Sequence, residues 1–332
     1  MNPIRNRLMG AAEALGALRY SDLKQVENIQ VSPGNYEFQE VFDGKGLSFR
    51  PYGRDETWGG SDAHYWFKAS LTVPADFKGA QVRAVLNTGA TDIWNTDNPQ
   101  IMVYADGKLS GTMDMNHQDF ILTLNASGGE TFELAFYAYS NSPGLTNFFH
   151  LDMGKYHEKV AKLYYDLTVP FEAAELLEED DLEQIDTYKT LMEAVNRLEL
   201  SRPFSESFFA SVETADSWLL ENYYKNRPEN PVTVHSIGHT HIDVAWKWPL
   251  KQTRQKAVRS FRTVLNLMER YPEYKFMSSQ PQLYQFVKEE APGLFEEIKE
   301  RIREGRWETE GAMWLEPDCN LVSGESLIRH IL

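Results

Sequence analysis

Read as a pattern of apolar and polar positions, the chain changes texture several times. Over residues 1–30, Met9, Ala12, Leu15 and Leu18 recur at helical spacing and predict short helices. From 31 to about 150, short apolar or alternating runs take over at 47–50, 65–73, 81–87, 101–104, 120–124 and 131–139. Turn signals separate them, among them Trp58-Gly59-Gly60, Asp106-Gly107 and Ser127-Gly128-Gly129. Many short strands with regular turns predict an all-β sandwich over 31–150.

Helical text returns over 151–230. Tyr164, Leu167, Val169 and Phe171 open it, and an acidic stretch at 172–186 reads as a solvated segment or a linker. Two amphipathic segments follow at 185–200 and 205–224, and Arg227-Pro228-Glu229-Asn230-Pro231 breaks the pattern and marks a domain boundary.

After Pro231 the chain alternates in type. Strands are predicted at 232–237, 274–278 and 306–310, with helices at 251–271, 281–288 and 294–303 and another starting near Ser323. Strand–helix repeats with right-handed crossovers predict a parallel, barrel-like α/β domain over 231–332. Three strands cannot close a barrel or cover both faces of a sheet, so this domain is expected to be incomplete and the chain part of a longer polypeptide. The expected fold is multidomain: N-terminal helices, a β-sandwich, a helical linker region, and the first part of a parallel α/β domain.

Composition narrows the partners. Of 332 residues, 42% are hydrophobic and 25% charged, a globular profile, and the formal net charge of −16 speaks against nucleic acid as a partner. The basic residues Lys251, Arg254, Lys256, Arg259 and Arg262 therefore read as the solvated faces of an amphipathic helix. One cysteine, Cys319, excludes an internal disulfide and makes the cytoplasm the default compartment. Glu13 interrupts the apolar stretch at 8–18, which suits a helix better than a signal peptide. No run of eighteen apolar residues occurs, so no membrane span is expected.

Candidate chemistry lies in two loops. In parallel α/β folds, functional residues sit on the loops that leave the C-terminal ends of the strands. The first loop reads Gly238-His239-Thr240-His241-Ile242-Asp243-Val244-Ala245-Trp246-Lys247-Trp248-Pro249. His241 and Asp243 are two apart, so extended backbone points both to one side. An imidazole and a carboxylate there form half of a site for zinc or a similar cation. The third strand delivers Trp314-Leu315-Glu316-Pro317-Asp318 to the same sheet edge, where Asp318 can complete a set of three. Its other reading is a turn residue or a helix cap.

These residues resemble glycoside hydrolase family 38, the retaining α-mannosidases. His241-Ile242-Asp243 with Trp246 is similar to that family's metal-binding signature, and 314–318 to its nucleophile loop. The resemblance covers 231–332, with the preceding region similar to the lead-in of cytosolic-type members. It implies that His241, Asp243 and Asp318 bind one divalent cation (zinc, with cobalt or manganese also fitting), that Asp318 is the nucleophile, and that Trp246 packs against sugar. It implies hydrolysis of α-linked mannosides by metal-assisted double displacement, with an oligosaccharide as partner and a homo-oligomeric parent left open. The family's fourth ligand, a histidine, and its acid/base aspartate lie downstream, so this chain alone is expected to lack turnover.

Other residues are weighed against plainer roles. His239 suits a supporting role, and His235 a core or hydrogen-bonded position within the first strand. Cys319 suits a small buried hydrophobe, Glu316 solvent or support, and Trp248 packing. Of the aromatics in the β zone (Trp58, Trp66, Trp94, Tyr104 and Phe120) most should be core. Rival readings are a carbohydrate-binding module without catalysis, another metal hydrolase such as a deacetylase using His-x-Asp with bound water, and a purely structural sandwich.

Overall fold

A computed structural model of the chain describes residues 3–44, 47–92, 98–178, 181–226, 232–311 and 313–331. The boundary stretch at 227–231 and Trp94 lie outside the described residues. Helix α1 (Pro3–Ala17) leads into strands β1 (Tyr20–Gln25) and β2 (Gln30–Pro33), then α2 (Phe38–Asp43) and β3 (Arg50–Pro51). Strands β4 (Ala63–Thr72), β5 (Gln81–Asn87), β6 (Gln100–Ala105), β7 (Lys108–Met113), β8 (Asp119–Thr123), β9 (Thr131–Ser140) and β10 (His150–Tyr156) follow. They form a four-stranded sheet in the order β1-β10-β5-β8 and a six-stranded sheet in the order β3-β2-β4-β9-β6-β7.

The sandwich therefore runs from Tyr20 to Tyr156, wider at both ends than 31–150. β1 pairs antiparallel with β10, so each boundary cut off one strand of the same pair. Neither strand announces itself: β1, YSDLKQ, is mostly exposed at the sheet edge, and β10 carries Gly154 in its middle. The segment 1–30 is thus not helical throughout. Only α1 is, and it packs on later helices rather than standing apart.

Period-two alternation explains the sheet. In β4, Phe67, Ala69 and Leu71 enter the sandwich core, where Phe67 stacks on Phe149 at 3.9 Å. Trp66, on the opposite face, is buried in a second cluster. β9 repeats this, with Leu134, Phe136 and Ala138 inward and Tyr137 and Tyr139 outward. The outer face of the six-stranded sheet is therefore covered.

Helices α3 (Glu158–Ala174), α4 (Leu182–Val195) and α5 (Glu206–Leu219) join α1 around a third cluster that includes Leu15, Leu163, Leu191 and Phe208. Side-chain caps set the starts of two of them: Asp181 accepts from the Glu183 amide and Ser205 from the Phe208 amide. Helix α3 runs into the acidic stretch, and α4 begins inside it.

The last region contains β11 (Gly238–His239), α6 (Leu250–Arg270), β12 (Phe276–Met277), α7 (Pro281–Glu290), α8 (Pro292–Arg303), β13 (Trp307–Glu308) and α9 (Gly324–Arg329). The three strands form a parallel sheet in the order β11-β12-β13. This is a short piece of parallel sheet; the described residues do not form a closed barrel. The strand expected at 232–237 is absent, and Val232 and Val234 are exposed. None of the residues 232–237 belongs to a strand. His235, expected as a core or hydrogen-bonded histidine of that strand, is exposed, so it is not a core residue.

Helix α6 covers the outer face of the six-stranded sheet. Val258, Phe261, Val264, Leu265 and Met268 join Trp66, Met102, Tyr137 and Tyr139 in one cluster with Phe276 and Trp307. Polar contacts knit the same surface: the Thr112 and Thr263 hydroxyls lie 2.6 Å apart, and the Asn266 amide donates to the Ser110 carbonyl at 3.1 Å. Arg259 and Arg262, expected on a solvated face, are buried. Arg259 donates to Gln100, and burial pulls its guanidinium down to about 10. Arg262 pairs with Glu297 at 2.8 Å. A helix wedged between a sheet and two other helices leaves little of its polar side to water.

A polar chain, buried at His64 and Tyr137, crosses this interface. Lys251 Nζ lies 3.1 Å from His64 Nε2, His64 Nδ1 lies 2.6 Å from the Tyr137 hydroxyl, and Gln255 donates to that hydroxyl at 2.7 Å. Burial and the Lys251 ammonium hold the His64 pKa below its ordinary value, with Asp62 opposing. The unfolded chain thus binds more protons at His64 once the pH falls below about 6.5, so stability should decline from there until the folded imidazole also protonates. His64→Gln should show a smaller fall in melting temperature than the parent between about pH 7 and 5. Equal falls in both proteins would refute this assignment.

Candidate active site

The parallel sheet brings three loops to one edge. β11 feeds 240–249, β12 feeds 278–280, and β13 feeds 309–323. Gly238 at the start leaves room for the Tyr274 ring, which a Cβ there would meet. Gly311, at φ +84°, lets the third loop approach the second, where a Cβ would sit 3.1 Å from that of Ser279.

In the first loop the two-residue spacing brings the expected pair together. His241 Nε2 lies 3.0 Å from Asp243 Oδ1, while Ile242 between them is buried in the cluster beneath. The other imidazole nitrogen, Nδ1, lies 3.4 Å from Glu316 Oε2. The first and third loops thus meet through Glu316, a residue that the sequence pattern assigned to solvent or support. Side-chain exposures of 50% for His241 and 39% for Asp243 leave the pair open to a ligand.

Asp318 is placed differently. It is exposed, its Oδ1 accepts from the Asn320 amide at 3.1 Å, and its carbonyl accepts from Leu321 at 2.9 Å. These are the bonds of a local turn. Trp314 anchors the loop, donating from its indole to Gln282 at 2.9 Å and from its amide to the His330 carbonyl at 2.7 Å. Cys319 is exposed, not buried, since the turn carries it outward.

The donor types suit a borderline divalent cation, and His241 with Asp243 fits two positions of such a site. The third position is not closed. Among the described residues, no three His, Cys, Asp or Glu side chains gather closely enough to hold a metal ion.

Trp246 projects from the same loop with 58% exposure, its ring edge-on to Trp248 at 5.6 Å. Trp248 does more than pack. Its indole donates to the Asp243 carbonyl at 3.3 Å and to the Thr253 hydroxyl at 3.2 Å. Sequence reasoning missed Thr253 and Gln280 as contributors; the second donates to the Ile242 carbonyl at 3.4 Å. Nothing in their spacing could have found them. Trp58 and Trp66 are buried, so neither offers a ring face to a sugar.

Comparison with known proteins agrees with this layout. The glycosyl hydrolases family 38 N-terminal domain matches residues 231–332, and the alpha-mannosidase jelly roll domain matches 22–156. Alpha-mannosidase G of Dictyostelium discoideum is 29% identical over 320 residues, covering 92% of this chain and 28% of that protein. Alpha-mannosidase 2C1 of Homo sapiens is 28% identical over 348 aligned positions, covering 99% of this chain and 31% of its own length. The chain thus spans less than a third of these relatives. A beta-glucuronidase from an uncultured Clostridium sp. aligns with 41% of the chain at 12% identity, but a TM-score of 0.29 carries no weight. No helix among the described residues is long and apolar enough to cross a membrane.

Proposed function

We propose that this chain, whose residues 231–332 match the glycosyl hydrolases family 38 N-terminal domain and 22–156 the alpha-mannosidase jelly roll domain, serves the hydrolysis of α-linked mannosides with retention of configuration. The observation that carries the reading is the meeting of the His241–Asp243 pair with the third loop at one edge of a parallel sheet. His241, Asp243 and Asp318 would hold one divalent cation, zinc by donor type, with cobalt or manganese as substitutes. When bound, that cation supplies a fixed positive point for neighbouring sugar hydroxyls.

The remaining work falls to side chains. Asp318, exposed at a turn, would attack the anomeric carbon as the nucleophile of a double displacement. The glycosidic C–O bond breaks as its oxygen leaves with a proton from the acid/base group expected downstream, and water, deprotonated by that same group, then frees the sugar from the Asp318 ester. Trp246 offers an exposed ring to an apolar sugar face. Both matched domains come from one class of enzyme, which speaks against a separate binding module or a deacetylase. A cytoplasmic setting goes with the reading, because the one cysteine leaves no internal disulfide that needs an oxidising compartment.

Trp246 supplies the test. Titration of the zinc-loaded chain with an α-mannoside should show binding that Trp246→Ala weakens by about tenfold, with stability unchanged within about 0.5 kcal/mol. Equal binding by both proteins would remove Trp246 from the site. If α-glucosides bind as well as α-mannosides, the assigned substrate is wrong.

A further inference from the structure

We propose that Thr253, together with Trp248 and Gln280, forms a buried clamp that positions the His241–Asp243 pair by gripping the backbone between and after it. The clamp is drawn from three elements. Thr253, fully buried in the first turn of α6, donates its hydroxyl to the Asp243 carbonyl at 3.3 Å. Trp248 reaches the same carbonyl from the loop itself. Gln280, 5% exposed at the exit of β12, donates its amide to the Ile242 carbonyl.

The Thr253 hydroxyl donates its one hydrogen to the Asp243 carbonyl and accepts from the Trp248 indole at 3.2 Å, and the single indole hydrogen is shared between that hydroxyl and the same carbonyl. Gln280 holds its place at a cost, since its φ of 58° is a backbone conformation that side chains other than glycine rarely adopt. Its side chain thereby lies against the first loop from the middle strand of the sheet. Two successive carbonyls are thus held by the buried Thr253 and Gln280, while the side chains of His241 and Asp243 stay 50% and 39% exposed. A loop that presents ligands on an exposed edge has little packing of its own, so donors behind it set its geometry.

These are positioning residues, because none of them reaches the imidazole or the carboxylate itself. The inference rests on the reading of His241 and Asp243 as a cation half-site, and its test separates the two. Thr253→Val keeps the shape and the β-branch at a helical position but removes the hydroxyl, whereas Thr253→Ser keeps the hydroxyl. Gln280→Met keeps length without the amide and serves as a second variant.

Hydrogen exchange of the segment 239–249 and Zn2+ affinity by calorimetry are measured on the full chain. Thr253→Val and Gln280→Met should speed exchange there by roughly fivefold. They should also weaken Zn2+ by about tenfold, while Thr253→Ser matches the parent in both. Sandwich exchange, unchanged throughout, reports that the variants fold. Unchanged exchange at 239–249 overturns the clamp, and so does faster exchange with unaltered Zn2+ affinity. If the parent itself binds no Zn2+ while exchange responds as expected, the clamp stands and the cation reading of the pair fails.

Discussion

Phe261→Ala is expected to lower the free energy of unfolding by about 3–5 kcal/mol. Phe261 is fully buried, with its ring edge-on to Trp307 at 5.1 Å and 5.3 Å from Tyr284. Helix α6 carries it between the outer face of the six-stranded sheet and the parallel strands, in a cluster shared by Trp66 and Phe276. Truncation would open a cavity at the point where the sandwich, the helix and the parallel sheet meet. The backbone around it is tied to strands on one side and to α7 on the other, so little collapse can fill the space. Phe261→Leu, which keeps most of the volume, should cost less than about 1.5 kcal/mol. Denaturant unfolding followed by circular dichroism measures both. A loss under about 1 kcal/mol for the alanine variant would mean that this cluster does not hold the regions together.

That cluster also marks how far the amino-acid order could be read. The run at 81–87 is β5 to the residue, because its apolar side chains and flanking turn signals agree. Helix α6 lies within one residue of its expected ends, since five apolar positions repeat on one face. What the pattern could not tell is which polar residues another element would cover. Arg259 and Arg262 look solvated in the helix text, but Arg259 meets Gln100 of a sheet more than a hundred residues earlier and Arg262 meets Glu297 of α8. The short parallel strands failed differently. Val232 and Val234 are apolar and β-branched, yet both are exposed and the first strand of the parallel sheet is only Gly238–His239.

The candidate site divides along the same line. Pairing of His241 with Asp243 follows from period two alone, so local spacing sufficed. The contact of Glu316 with His241 depends on how a long loop is pinned at Trp314, and no spacing encodes that. Thr253 and Gln280 act through backbone carbonyls of a distant loop, a relation that a sequence never spells out.

His241→Ala is expected to weaken Zn2+ binding by more than about a hundredfold, or roughly 2.7 kcal/mol, in chain stripped of metal by a chelator and titrated by calorimetry. Asp243→Asn should lose a comparable amount, because a neutral amide oxygen is a poorer donor to a dication than a carboxylate. Removing either leaves the other half of a pair whose members lie 3.0 Å apart. The informative comparison is between the two residues of the third loop. If Asp318 joins the cation, Asp318→Asn should match the loss at Asp243, the carboxylate oxygen not bonded to the Asn320 amide being the one offered to the metal. Glu316→Gln should then cost only about tenfold, as the group that orients the imidazole from its far nitrogen. The reverse ranking, with Glu316→Gln abolishing binding and Asp318→Asn neutral, would make Glu316 the third donor and strip Asp318 of its assigned place. Should neither variant matter, the half-site binds alone, and the third loop has no part in holding a cation.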